Sequence, residues 1–78
     1  MTPRPPREEQ KASLLALARK LAPKPILIGT GAMHLGWWAT LPETEALLEE
    51  MVKERVLRHA TRAECLEAHI RFGYVVVV

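Results

Sequence analysis

The chain has no asparagine, no aspartate and a single glutamine, Gln10. So few thermolabile amides beside many Glu, Arg and Pro point to a thermophilic or high-GC source. There is one cysteine, Cys65, which excludes an intrachain disulfide and fits a reducing compartment. Only Trp37, Trp38, Phe72 and Tyr74 are aromatic. No apolar run reaches the length of a membrane span. The first residues are rich in Pro and Arg and lack the apolar segment of a secretion signal, so the cytoplasm is the expected location. With no Asp and few polar side chains to line a pocket, 78 residues are not expected to form an enzyme. No metal, cofactor, membrane or small-molecule substrate is expected either.

What is present is globular. Apolar residues make up 49% of the chain, and its length allows one domain with a small core. Residues 1–6, with three prolines, read as a loose tail, and 7–78 as the single domain. Charge is unevenly spread. Arg4, Arg7, Lys11, Arg19, Lys20 and Lys24 oppose only Glu8 and Glu9 over residues 1–25, a net of +4. Over residues 26–59, Lys53, Arg55 and Arg58 oppose Glu43, Glu45, Glu49, Glu50 and Glu54, a net of −2. The basic end suits an acidic partner or nucleic acid, and the acidic middle repels both.

Residues 7–22 read as a helix with Leu14, Leu17, Ala18 and Leu21 inward, stopped by Pro23 and Pro25. Residues 25–28 read as an edge strand closed by Gly29-Thr30-Gly31. That glycine pair lacks the further glycine of a dinucleotide fingerprint and the Gly-Lys of a P-loop, so it is taken as a strand-to-helix turn. Residues 32–38 read as a short helix. Residues 41–55 form the clearest helix, with Leu41, Leu48, Met51 and Val52 in one stripe and Leu47 beside it. Thr40 with Glu43 is a capping-box pair, and Pro42 suits the first turn. Glu49–Lys53 and Glu54–Arg58 have i,i+4 spacing, as on a solvated face. Residues 56–59 read as a strand. Thr61 with Glu64 is a second capping box, Leu66, His69 and Ile70 share a face, and Gly73 suits a helix C′ position. Residues 62–72 are therefore a helix or an irregular wing. Residues 74–78 read as a strand whose partners are 26–28 and 56–59.

The phrases ALLEEMVKERVLRHA (46–60) and GYVVVV (73–78), in the order helix, strand, helix, helix, strand, long turn, strand, resemble the winged helix-turn-helix superfamily. The resemblance implies an α+β, winged-helix-like domain of three to four helices with a small two- or three-stranded antiparallel sheet. It also implies that 41–55 is the recognition helix, 61–73 the wing and DNA the partner. The charge pattern departs from this. Helix 41–55 carries Glu43, Glu45, Glu49 and Glu50 and no cation before Lys53. Each carboxylate near a phosphate is repulsive.

Two roles follow, both non-enzymatic. One is a nucleic-acid-binding or regulatory domain contacting phosphates through Arg4, Arg7, Lys11, Arg19 and Lys20, with Lys53, Arg55 and Arg58 secondary. The other is a protein-interaction module or homodimer presenting the acidic helix (Glu45, Glu49) and an exposed tryptophan. Trp37 and Trp38 cannot share a face, so one is expected in the core and the other partly exposed. His59, Cys65 and His69, with His34 more distant, have metal-like chemistry. They are read as structural, with Cys65 a small buried residue and His69 half-buried.

Overall fold

A computed structural model describes residues 4–77. Helix α1 spans Arg7–Leu21, with Glu8 and Glu9 in its first turn and Arg19 and Lys20 in its last, both favourable to the helix dipole. The expected tail lies outside the described residues at 1–3. From Arg4 onward it is tied down: Gln10 Nε2 donates to the Pro5 carbonyl at 2.7 Å.

The expected strand 25–28 contracts to one residue. Ile26 forms an isolated antiparallel bridge with Tyr74, with N–H···O distances of 2.8 and 2.9 Å. Helix α2 then starts at once and spans Ile28–Leu35, not 32–38. Gly29-Thr30-Gly31 therefore lies inside a helix rather than in a turn. The reason is tertiary. Gly31 is buried, and a Cβ there would sit 3.1 Å from both Leu14 and Thr44. The missing side chain lets α1 and the next helix close over α2, which outweighs the poor helix propensity of glycine. Helix α2 ends at Gly36, whose φ of 136° lies in a region closed to other residues. Trp37 and Trp38 thus occupy the turn.

Helix α3 spans Leu41–Lys53. The Thr40 hydroxyl accepts from the Glu43 N–H at 3.2 Å. The expected capping box is only half made, because the Glu43 carboxylate turns to Arg4 at 3.4 Å. Of the expected stripe, Leu48 and Met51 are buried, with Leu47 buried beside them, Val52 is half-buried, and Leu41 is exposed at the helix start. The helix closes before residue 55: Arg55 adopts φ 64°, and the Val56 N–H reaches back to the Met51 carbonyl at 3.1 Å.

Strand β1 (Leu57–His59) pairs antiparallel with β2 (Tyr74–Val76) in the register Leu57↔Val76, Arg58↔Val75 and His59↔Tyr74. Ile26 flanks Tyr74 on the other edge of β2, so β2 pairs with 57–59 as a strand and meets the expected partner 26–28 only at Ile26. Val78 lies outside the described residues. Between the strands, residues 62–68 form helix α4, Arg62–Ala68, in the place of a wing. Its Thr61/Glu64 capping box is complete. It ends at His69 in the left-handed conformation, with the Ile70 N–H bonded to the Cys65 carbonyl. Gly73 is not its C′ residue. It is buried where a Cβ would lie 2.9 Å from both Pro25 and Ile70. Helix α4 buries no side chain, and Leu66 on its expected inner face is exposed.

The described residues thus form an α+β, winged-helix-like layout of four helices and a two-stranded antiparallel sheet. The core is Leu14, Ala18, Ile26, Leu47, Leu48, Met51, Leu57 and Tyr74. Leu17 and Leu21 pack at its rim. Thr44 is fully buried, its hydroxyl donating to the Thr40 carbonyl at 2.8 Å.

Candidate interaction surfaces

The basic residues of α1 and the acidic residues of α3 meet each other. Lys11 Nζ lies 2.7 Å from Glu50 Oε1 and 2.8 Å from Glu54 Oε2, and its side chain is only 10% exposed. Arg7 joins the same Glu50 carboxylate. The hydrogen bonds from Arg7 and Lys11 hold the Glu50 carboxyl down at about 2. The same contacts raise Lys11 and Arg7 above their ordinary values. Arg4 adds an exposed pair with Glu43 and stands over the Trp38 ring at 5.1 Å.

The acidic face of α3 is therefore not built from its own i,i+4 pairs. Glu54 goes to Lys11 rather than Arg58. Arg58 makes a bidentate pair with Glu64 of α4, at 2.7 and 2.9 Å. This bond, with the Thr61 N–H behind it, holds Glu64 down at about 2. Glu49 turns away from Lys53 to accept from the Tyr74 hydroxyl at 2.5 Å and to contact His59 Nε2 at 2.9 Å. Those bonds lower its carboxyl, Tyr74 first. Burial, then the bond to Glu49, raises the Tyr74 phenol.

His59, Phe72 and Tyr74 meet as an aromatic trio with centroids 5.1–5.4 Å apart, the rings tilted or edge-on to one another. Phe72 and Tyr74 are two residues apart, and the β1–β2 register brings His59 opposite Tyr74 to complete the trio, which the sequence order did not announce.

Of the eight candidate phosphate contacts, Arg4, Arg7, Lys11 and Arg58 are thus committed to carboxylates of this chain. Arg19, Lys20, Lys53 and Arg55 are exposed. Among the proposed protein contacts, Glu45 is exposed and Glu49 is engaged as described. The two tryptophans divide differently from expectation, since neither joins the core. Trp38 is half-buried, its ring lying over Gly36 at 3.2 Å from where a Cβ would stand. Trp37 flares outward and is 68% exposed. Met33 on the last turn of α2 is 86% exposed, and Leu41 at the start of α3 is 57% exposed. This helix–turn–helix corner therefore displays three large apolar side chains.

No family model, curated protein or solved structure matches this chain.

Two further features bear on chemistry. A groove of about 450 Å³ lies between Pro23, Lys24 and Pro25 on one side and Glu64, Glu67 and Ala68 of α4 on the other. None of these six is a nucleophile paired with a base, and Glu64 is already held by Arg58. Among the described residues, no three His, Cys or Glu side chains converge as metal ligands. Cys65 is half-buried rather than buried, and His69 is exposed because it lies past the end of α4. No helix of the described residues is long and apolar enough to cross a membrane.

Proposed function

We propose that this chain is a small, non-enzymatic, cytoplasmic protein-interaction module that uses a winged-helix-like frame without depending on DNA. One observation carries the reading. Arg4, Arg7 and Lys11, the cations nearest the acidic helix, are neutralised by Glu43 and Glu50 of α3 and by Glu54 at its C-cap. A phosphate would have to displace those carboxylates, and it gains nothing from counterion release until it does. The helix that the superfamily offers to the major groove carries Glu43 and Glu45 beside exposed Leu41 at its start. Apolar and aromatic residues exposed together favour a protein partner.

The nucleic-acid reading keeps some support from the exposed Arg19, Lys20, Lys53 and Arg55. Anisotropy of a labelled mixed-sequence duplex separates the two roles. The interaction module is expected to bind the duplex weakly or not at all, even at low salt. Tight binding that collapses between about 50 and 200 mM salt, and is lost in Arg19→Glu/Lys20→Glu, would overturn it.

A further inference from the structure

We infer that residues 61–69, helix α4 with its two caps, form a strap that opens by itself while the rest of the fold stays closed, and that the Arg58–Glu64 ion pair is its clasp. A helix of 7 residues is too short to stand on its own propensity. Tertiary packing has to supply the rest, and here it supplies little. Helix α4 buries no side chain. Glu64 and Cys65 are half-buried, whereas Arg62, Ala63, Leu66, Glu67 and Ala68 are exposed. Leu66, its largest apolar side chain, is 66% exposed. A segment with so few buried contacts belongs to the low-stability end of a fold.

What holds the strap is local. At its start the Arg58 guanidinium meets both oxygens of Glu64, and the Thr61/Glu64 capping box closes the first turn. Arg58 and Glu64 both reach solvent, so the pair is a weak one. At its end His69 turns the chain in the left-handed conformation, against the preference of a residue with a Cβ. Half-buried Ile70 then lies over Gly73. The sheet closes without the strap. The Ala60 N–H donates to the Gly73 carbonyl at 2.8 Å, and β1 and β2 pair from there to Leu57 and Val76. No core residue lies between 58 and 73. Residues 61–69 can therefore swing out with no ladder bond and no core contact broken.

Opening changes two things on that face. Glu64, Glu67 and Ala68 form one wall of the groove against Pro23, Lys24 and Pro25, so the groove exists only while the strap is shut. Arg58 loses its carboxylate partner and becomes a bare cation on β1. The strap thus switches the face between a walled groove beside a neutralised Arg58 and an open surface with a bare guanidinium.

Native-state hydrogen exchange of the full chain, read by NMR in increasing sub-denaturing urea, tests the inference. The Cys65 and Ile70 amides, bonded to the Thr61 and Cys65 carbonyls at 2.9 Å, report the strap. The Ala60 and Tyr74 amides, bonded to Gly73 and Ile26 at 2.8 and 2.9 Å, report the frame. The strap amides should be less protected than the frame amides by on the order of 100-fold, at a rate that low urea does not change. Glu64→Gln leaves a side chain that can complete the capping box and removes only the ion pair. It should speed strap exchange about three-fold, as should Arg58→Gln, whereas Arg19→Gln on α1 should not. Equal protection and equal urea dependence in strap and frame would mean that α4 opens only with the whole fold, and the inference falls. Local opening that ignores both Glu64→Gln and Arg58→Gln overturns the clasp. Ala60 exchanging together with Cys65 overturns the hinge at Thr61.

Discussion

The Lys11 ammonium sits 2.7 Å from the Glu50 carboxylate, and this one pair joins the basic first helix to the acidic third. Part of the charge asymmetry along the chain is thereby taken up within the fold, through Arg4, Arg7 and Lys11. A linear count of +4 against −2 describes an attraction between helices. Removing only one partner leaves the other charged and uncompensated against a packed helix pair. Lys11→Met, which keeps the buried stem, should cost less stability than Lys11→Ala.

Acid should loosen the protein through the same carboxylates. Glu50 and Glu64 are each lowered from 4.5 to about 2 in the folded state. Their ionised forms therefore stabilise the fold fully above pH 4.5, and that contribution is lost as pH falls towards 2. The urea midpoint should be flat from neutral pH down to about 5 and then decline. The decline should be shallower in Glu50→Gln and in Glu64→Gln, and added salt should blunt it in the wild type. A wild-type slope retained in both variants would contradict the assignment.

Tyr74 is the only tyrosine, so its alkaline titration can be read alone from phenolate absorbance. Burial and the bond to Glu49 should move it above the ordinary tyrosine range. Stability from the neutral phenol is then complete below the unfolded-state value and is lost as pH rises through the folded one. Tyr74→Phe should cost about 1 kcal/mol, the hydrogen bond being partly solvated at Glu49. For a domain of this size that lowers Tm by about 4–8 °C. Tyr74→Ala should cost about 3–5 kcal/mol, because the ring is fully buried in the core.

Arg55 and His69 each close a helix in the left-handed conformation, at φ 64° and 58°. Glycine adopts that geometry without a Cβ clash. Arg55→Gly and His69→Gly should each raise stability by about 0.5–1 kcal/mol, and Arg55→Val should lower it. Thermal melts of the three variants check the sign.

Two glycines should respond to alanine in opposite directions. A Cβ at Gly29 meets nothing within 4 Å, so Gly29→Ala should add about 0.5 kcal/mol through helix propensity. A Cβ at Gly73 would meet Pro25 and Ile70 at 2.9 Å and the Ile26 carbonyl oxygen at 3.1 Å. Gly73→Ala should cost about 1–3 kcal/mol by forcing the Ile26–Tyr74 bridge apart.

The sequence by itself determined the elements whose signals are local. The stripe Leu41, Leu48, Met51 and Val52, with Leu47 beside it and the Thr40 cap, specified α3, whereas the Thr61/Glu64 box marked a helix start but left 62–72 open between helix and wing. The valine run specified a strand, realised as Tyr74–Val76, because such signals act over a few residues. Tertiary structure alone decided the rest. Gly31 became helical because Leu14 and Thr44 close over it, a contact that no neighbour in sequence announces. Glu49 and Glu54 abandoned Lys53 and Arg58 for Tyr74, His59 and Lys11, since a surface i,i+4 pair is worth a few tenths of a kcal/mol and better-buried partners lay across the fold. The exposure of Trp37 over Trp38 was settled by where the turn ran after Gly36, which the two identical side chains do not encode.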